Sequence, residues 1–298
     1  MGVELQGLWG FALSPFAHGE LDCDALAAGA AFQVAGGVDV LCCCGAIAQA
    51  DVLAAAERES ALAAVLAAAA GRAPVVLALP ADGAAAATAR RAAALGAHAL
   101  LLIPVSEHVE ALAQTLADVA AAAPDLALAL YHRPPLRLTP DALARLCEHA
   151  SLAAVKDGHR DARLYRQLRA VEPGRLTWIV AYEDLLLPFG ALGAEAFSPV
   201  SASYAPAYGR ACLALLARGD LAALRSLLAA HAYPMMDLRF SRPHIDVASV
   251  KAAQRACGLD AGQERPPQVP LSVAETARAE RLVADLGDAL AALSEVAA

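Results

Sequence analysis

Eight short apolar runs recur along the first 200 residues and alternate with stretches rich in alanine and leucine. They are GLWGFAL (7–13), VDVLCC (38–43), PVVLAL (74–79), ALLLI (99–103), LALALY (126–131), LAAVK (152–156), LTWIVA (176–181) and AFSPV (196–200). Each run is continuously apolar rather than alternating, which is typical of parallel strands covered on the outside by helices. The pattern therefore predicts eight buried parallel strands.

The stretches between these runs carry signals of helix ends. Gly36-Gly37, Gly71, Gly96 and Gly174 stand shortly before strands, where glycine commonly terminates a helix. Thr139-Pro140 opens another helix, with the proline in its first turn. Repeated strand–helix units of this length predict an α/β fold of the (β/α)8 TIM-barrel type. No GxGxxG or GKS/GKT motif favours an open, doubly wound sheet.

Beyond the eighth run the chain shows only helical patterns. They lie near 206–217, 219–232, 246–257 and 272–294. The proline-rich stretch GQERPPQVPLS (262–272) connects the last two. We therefore expect residues 1–205 to form the barrel and residues 206–298 to form a helical appendage packed on it, as one structural unit.

The composition narrows the classes of partner. Hydrophobic residues make up 58% of the chain, the formal net charge is −8, and no basic cluster occurs, so a nucleic-acid partner is not expected. The apolar stretch 25–50 is broken by Gly36-Gly37 and Asp39 into pieces too short to span a bilayer. The start, MGVELQGLWG, does not have the pattern of a signal peptide. A cytoplasmic protein without a membrane partner is predicted.

Cysteine and histidine do not indicate a metal site. Cys42, Cys43 and Cys44 are consecutive, and successive strand side chains point to opposite faces, so the three cannot converge on one ion. The seven cysteines fit buried small residues in a reducing compartment. No ligand spacing is found among His98, His108, His132, His159 and His244. We expect neither a metal nor a cofactor.

Lysine is rare in this chain. Of 23 Lys and Arg residues only Lys156 and Lys251 are lysines, and Lys156 ends the sixth apolar run as Tyr131 ends the fifth. Barrel enzymes carry catalytic groups at the carboxyl ends of their strands. A desolvated lysine can attack a 2-oxo acid to form an iminium, with a tyrosine shuttling protons. These residues alone also allow a structural role, with Lys156 paired to Asp157 or Asp161 and Tyr131 packed in the core.

Over nearly its whole length the chain resembles the dihydrodipicolinate synthase / N-acetylneuraminate lyase superfamily of Schiff-base aldolases and dehydratases. The resemblance rests on Ser14-Pro15-Phe16, Gly36-Gly37-Val38-Asp39, Tyr131, Lys156, Ala205-Pro206, SVKAA (249–253) and RPPQVPLS (265–272), in this order and spacing. It implies that Lys156 forms the Schiff base and that Tyr131 relays protons. It also implies a cofactor-free homodimer or homotetramer that acts on a small-molecule 2-oxo acid.

Two motifs look most similar to 5-dehydro-4-deoxyglucarate dehydratases within the superfamily. They are YHRPPLRLTPDALARL (131–146) and VKDGHRD (155–161). Arg133 fits the Tyr-Asn-Arg pattern of that group, whereas His132 replaces its asparagine. His132 is either a site residue or a loop histidine with satisfied hydrogen bonds.

The loop after the second strand departs from the family. The usual loop, Gly-Thr-Thr-Gly-Glu or Gly-Gly-Thr-Gly-Glu, binds a carboxylate through its hydroxyls and amides. Here it is GAIAQ (45–49), and Ala46 and Ile47 have no hydroxyl. A charge-assisted hydrogen bond contributes about 1.5–3 kcal/mol, so pyruvate should bind weakly. The carboxylate would then be held by the loop amides of Ala46 and Ile47, by Ser198 near strand eight, or by Arg133. IPVSEH (103–108) also lacks the tyrosine that family synthases carry after strand four.

The leading hypothesis is a lyase that forms a Schiff base with a 2-oxo acid, acting as a dehydratase or aldolase on a keto-deoxy sugar acid or a related compound. GAIAQ favours an alternative from another class, a divergent barrel that binds or senses a small molecule. A dihydrodipicolinate synthase-like enzyme is a further alternative. A metal-dependent barrel enzyme has no ligand pattern to support it.

Overall fold

The computed structural model describes residues 3–149 and 151–296. Eight parallel strands close into a barrel in the order β1-β10-β9-β8-β7-β6-β5-β4, and β2 and β3 form a small separate sheet. The strands are β1 (Gly7–Phe11), β2 (Phe16–Ala17), β3 (Glu20–Leu21), β4 (Val40–Cys43), β5 (Val75–Ala81), β6 (Ala99–Pro104), β7 (Ala127–His132), β8 (Leu152–Asp157), β9 (Thr177–Val180) and β10 (Ala196–Phe197). The predicted (β/α)8 fold and its eight barrel strands are confirmed.

Helices surround the barrel and form the C-terminal part of the chain. They are α1 (Cys23–Ala35), α2 (Ala55–Ala69), α3 (Ala85–Leu95), α4 (Val109–Ala122), α5 (Pro140–Leu146), α6 (Ala162–Arg169), α7 (Leu186–Ala191), α8 (Pro206–Ala217), α9 (Leu221–Leu227), α10 (Tyr233–Arg239), α11 (Asp246–Ala256) and α12 (Val273–Val296). A π-helical turn at Leu228–Ala232 joins α9 to α10, so the helix predicted near 219–232 continues to Arg239.

The helix ends follow local chemistry. The Thr139 side chain accepts a hydrogen bond from the Ala142 amide at the start of α5, with Pro140 in the first turn. Gly96 ends α3 in the left-handed conformation, at a φ of 97°, which a residue without Cβ adopts freely. The hairpin of β2 and β3 was not predicted, because two-residue strands are too short to produce a periodic pattern.

The C-terminal helices pack against the carboxyl-end face of the barrel through the proline-rich connection. The Gln263 amide donates to the Phe16 carbonyl at 2.8 Å, and Lys251 Nζ, from α11, donates to the Gln263 carbonyl at 2.5 Å. The division into a barrel of residues 1–205 and a helical appendage of residues 206–298, which together form one structural unit, stays a prediction. Within the described part of the chain, no helix combines the length and apolarity needed to cross a membrane.

Candidate active site

A cavity of about 210 Å³ lies at the mouth of the barrel, where the strands reach their carboxyl ends. The structure brings all six predicted site residues together around it. They are Lys156, Tyr131, Ala46, Ile47, Arg133 and Ser198. A wider depression of about 890 Å³ lies at the opposite end of the strands, beside Asp39 and His98, and no lysine lines it. Lys156 and Tyr131, the predicted catalytic residues, therefore line the smaller of the two cavities.

Lys156 lies on β8 directly beside Tyr131 on β7, because the two residues pair in the strand register. Its side chain is only 6% exposed. The Nζ atom lies 4.1 Å from the centre of the Phe11 ring and 4.8 Å from that of Tyr131. Burial lowers the pKa of Lys156 to about 8, against an opposing effect of Glu183. A substantial fraction of neutral amine is thus present near pH 8.

Neither aspartate proposed as an ion-pair partner contacts this amine. Asp157 Oδ2 lies 2.8 Å from His132 Nδ1, and Asp161 pairs with Arg137 at 2.6 Å. Among the described residues, no carboxylate lies within ion-pair distance of Lys156. The structural alternative of a paired lysine is therefore wrong.

Tyr131 is 8% exposed, so it packs in the core and also lines the cavity. Burial raises its pKa well above the usual value, and its neighbour Tyr182 adds to the effect. The phenol therefore keeps its proton and acts as a donor. A Cβ at Gly158 would lie 2.9 Å from the Tyr131 ring, so the glycine of the Lys-Asp-Gly motif leaves room for this tyrosine.

Tyr182 is a cavity residue that the sequence analysis missed. It directly follows the run LTWIVA, at the carboxyl end of a strand, and this position was a usable signal. Its successor Glu183 is buried, and its Oε1 accepts hydrogen bonds from the amides of Val200 at 3.0 Å and Ser201 at 3.4 Å. Glu183 thereby positions the turn after β10, next to Ser198.

His132 is fully buried, and its two ring nitrogens are both hydrogen-bonded. The Leu138 amide donates to Nε2 at 3.0 Å, and an amide can only donate. The ring proton is therefore on Nδ1 and is donated to Asp157 at 2.8 Å. Of the two roles left open, that of a histidine with satisfied hydrogen bonds describes His132, although the residue ends strand β7 rather than lying in a loop, and it does not line the cavity.

His132→Phe should lower the free energy of unfolding by about 3 kcal/mol, because it leaves the Leu138 amide and the Oδ2 atom of Asp157 without a partner in the interior. Urea denaturation followed by circular dichroism measures the change. The control is His149→Phe, because among the described residues the His149 side chain makes no hydrogen bond and only its backbone is bonded. Equal stability of the His132 variant and the native protein would contradict this structural role.

The GAIAQ loop forms a 3₁₀ turn over Ala46–Ala48. The Ala48 and Gln49 amides bond back to Gly45 and Ala46, whereas the Ala46 and Ile47 amides precede the first such bond and have no partner within the turn. Both residues line the cavity, so these donors are available to a carboxylate. Ser198 is less free, because its Oγ donates to the Val180 carbonyl at 2.8 Å.

Gln49, where the family has an acid, holds the proline-rich connection. Its Nε2 donates to the Arg265 carbonyl at 2.7 Å, and its Oε1 accepts from the Arg265 amide at 3.3 Å. Arg265 also pairs with Glu57 at 2.6 Å, and this hydrogen bond lowers the pKa of Glu57 to about 2. The C-terminal segment is thus clamped onto the loop that lines the cavity.

The sequence model of the Dihydrodipicolinate synthetase family matches residues 4–286, and the chain belongs to this family. A curated relative from Cereibacter sphaeroides, named "probable 5-dehydro-4-deoxyglucarate dehydratase", is 33% identical over 214 residues, which cover 65% of this chain and 67% of the relative. A relative of the same name from Saccharopolyspora erythraea is 32% identical, with 70% and 68% covered. The matched stretches thus span about two thirds of these relatives.

Solved structures agree on the fold. Dihydrodipicolinate synthase from Bacillus clausii superposes with a TM-score of 0.87 at 22% identity, covering 95% of this chain and 98% of that one. Ruminococcus gnavus sialic acid aldolase gives 0.88 at 18% identity, covering 95% and 97%. At these identities the likeness concerns the fold alone. The family and the curated relatives together indicate a lyase.

Proposed function

We propose that this protein is a dehydratase that forms a Schiff base between Lys156 and a keto-deoxy sugar acid related to 5-dehydro-4-deoxyglucarate. The observation that carries the proposal is the unpaired amine of Lys156 in the cavity, with a pKa lowered to about 8 by burial. The names of the curated relatives favour dehydration over aldol cleavage.

The chemistry follows from the positions of Lys156 and Tyr131. Neutral Nζ adds to the ketone carbon, the carbonyl oxygen leaves as water, and the resulting iminium withdraws electrons from the adjacent carbon. That carbon then loses a proton to solvent, and the enamine so formed expels the hydroxyl on the next carbon, which leaves as water with a proton from the Tyr131 phenol. The phenolate regains its proton from solvent. Hydrolysis of the iminium releases the product and restores the amine.

The carboxylate next to the ketone would lie at the 3₁₀ turn. The free amides of Ala46 and Ile47 supply two donors, and Arg133, whose guanidinium carbon lies 5.4 Å from the centre of the Tyr131 ring, supplies a positive charge beside the reacting atoms. Ser198 contributes only if its hydroxyl gives up the Val180 carbonyl. A cavity of about 210 Å³ suits a small acid rather than a polymer.

Ala46→Thr combined with Ile47→Thr should strengthen borohydride trapping of pyruvate at Lys156 by about tenfold, since two hydroxyl donors return to the loop. The concentration of pyruvate that gives half-maximal trapping is the measurement. Ala54→Thr, at an exposed position just beyond the loop, is the control. If the native protein already traps pyruvate efficiently and the double variant changes nothing, the missing hydroxyls are irrelevant to binding.

Borohydride reduction with a panel of 2-oxo acids, followed by intact mass and peptide mapping, tests the proposed function. An adduct on Lys156, together with release of a dehydrated product in the absence of borohydride, supports a Schiff-base dehydratase. An adduct without turnover would favour the second candidate, a small-molecule binding or regulatory protein. The lack of hydroxyls in GAIAQ supports that candidate. No adduct with any keto-deoxy sugar acid would overturn the covalent mechanism.

The assembly and the compartment are also proposals. We propose a homodimer or homotetramer in the cytoplasm, supported by family membership and by seven cysteines that are all unpaired.

A further inference from the structure

Arg239 is the last residue of α10, and it reaches the same cavity as Lys156 from the C-terminal helices. It is only 4% exposed. Its Nε and Nη1 atoms are buried without a hydrogen-bond partner. A guanidinium keeps its charge at all ordinary pH values, so this is an uncompensated positive charge at the wall of the site.

No acid neutralises this charge among the described residues. Asp246 lines the cavity as well, but its Oδ1 accepts a hydrogen bond from Gln268 at 2.8 Å. Glu183 is also buried, and its Oε1 accepts hydrogen bonds from the Val200 and Ser201 amides, whereas its Oε2 has no hydrogen-bond partner. Neither lies within ion-pair distance of Arg239. The guanidinium carbon lies 5.0 Å from the centre of the aromatic ring of Phe240.

An unpaired buried charge lowers the stability of the protein without ligand, and a bound anion would compensate it. The cavity wall carries Lys156, Arg133 and Arg239 against the single acid Asp246, so the excess charge is positive. One carboxylate at the 3₁₀ turn leaves Arg239 unused. A substrate with a carboxylate at each end would use both.

We infer that Arg239 is the residue that binds the distal carboxylate of such a substrate, and that its charge makes the site prefer a dicarboxylic 2-oxo acid to a monocarboxylic one of the same length. This inference rests on the proposed function, because the Schiff base at Lys156 fixes where the reacting carbonyl lies. Because Arg239 lies on α10, the C-terminal helices would take a direct part in substrate recognition.

A matched pair of ligands tests the inference. 2-Oxoadipate and 2-oxohexanoate have the same chain length and differ in the distal carboxylate. The native protein should be half-maximally trapped by 2-oxoadipate at a concentration about 10- to 100-fold lower. Arg239→Met should abolish this preference by weakening trapping of 2-oxoadipate alone. Arg225→Met, an exposed arginine on α9, should retain it.

A binding measurement that needs no covalent step separates this inference from the proposed function. Calorimetric titration of Lys156→Met with both acids should show the same preference, again lost when Arg239→Met is added. Arg239→Met should also melt at the same or a higher temperature than the native protein without ligand, because it removes an unpaired buried charge. A structural role would lower the melting temperature instead.

Three results would overturn the inference. They are equal affinity of the native protein for the two acids, an unchanged preference in Arg239→Met, or loss of the preference in Arg133→Met with Arg239→Met unaffected. Absence of trapping with persisting selective binding would overturn the Schiff base and leave the role of Arg239 standing.

Discussion

Lys156→Arg is expected to lose all detectable turnover and all borohydride-dependent labelling. Arginine retains the positive charge but has no amine that forms an iminium with a 2-oxo acid. Lys156→Met, which has similar length and no charge, should give the same result without placing a larger cation over Phe11. Turnover of a keto-deoxy sugar acid and intact mass after reduction are the measurements, with circular dichroism to show that both variants fold.

Lys251 provides the matched control for this prediction. Burial lowers the pKa of Lys251 to about 8 as well, so a low pKa alone does not single out Lys156. Lys251 lies outside the cavity, however, and its Nζ donates to the Gln263 carbonyl. Lys251→Arg should therefore keep both turnover and labelling. Labelling that maps to Lys251, or turnover that survives Lys156→Arg, would refute the assigned nucleophile.

Tyr131→Phe should lower kcat by about 10²- to 10⁴-fold, the usual contribution of a positioned acid–base group, and should change KM only a few-fold. The ring that packs beside Lys156 and under Arg133 remains, whereas the proton that leaves with the departing hydroxyl is missing. Steady-state kinetics with the substrate found in the trapping experiment separate the two constants.

Tyr165→Phe is the control for that measurement. Tyr165 lies on α6, stacked on Phe189 with ring centres 4.0 Å apart, and it does not line the cavity. Loss of its hydroxyl should leave kcat unchanged. A rise in KM with constant kcat in Tyr131→Phe would mean that the phenol binds the substrate but transfers no proton.

Local patterns along the chain were sufficient to predict the barrel and to place Lys156 and Tyr131 at its mouth. A strand buried on both faces must be continuously apolar, so the eight runs could be read directly. Lys156 and Tyr131 could be placed at one mouth because parallel strands end on the same face, and the register indeed pairs them. Tyr182 obeyed the same rule and could have been included.

Contacts between distant segments were decided only by the tertiary structure. Arg239 lies on a helix whose sequence pattern says nothing about which part of the barrel it faces, and its position depends on how α10 packs. The hydrogen bonds between Gln49 and Arg265 join residues 216 positions apart, and no local preference encodes such a pair. His132 likewise resembled a site residue until the bonds to Leu138 and Asp157 showed both ring nitrogens occupied. Local burial and periodicity predict secondary structure, whereas the hydrogen-bond partners of a polar side chain depend on chain segments that meet only on folding.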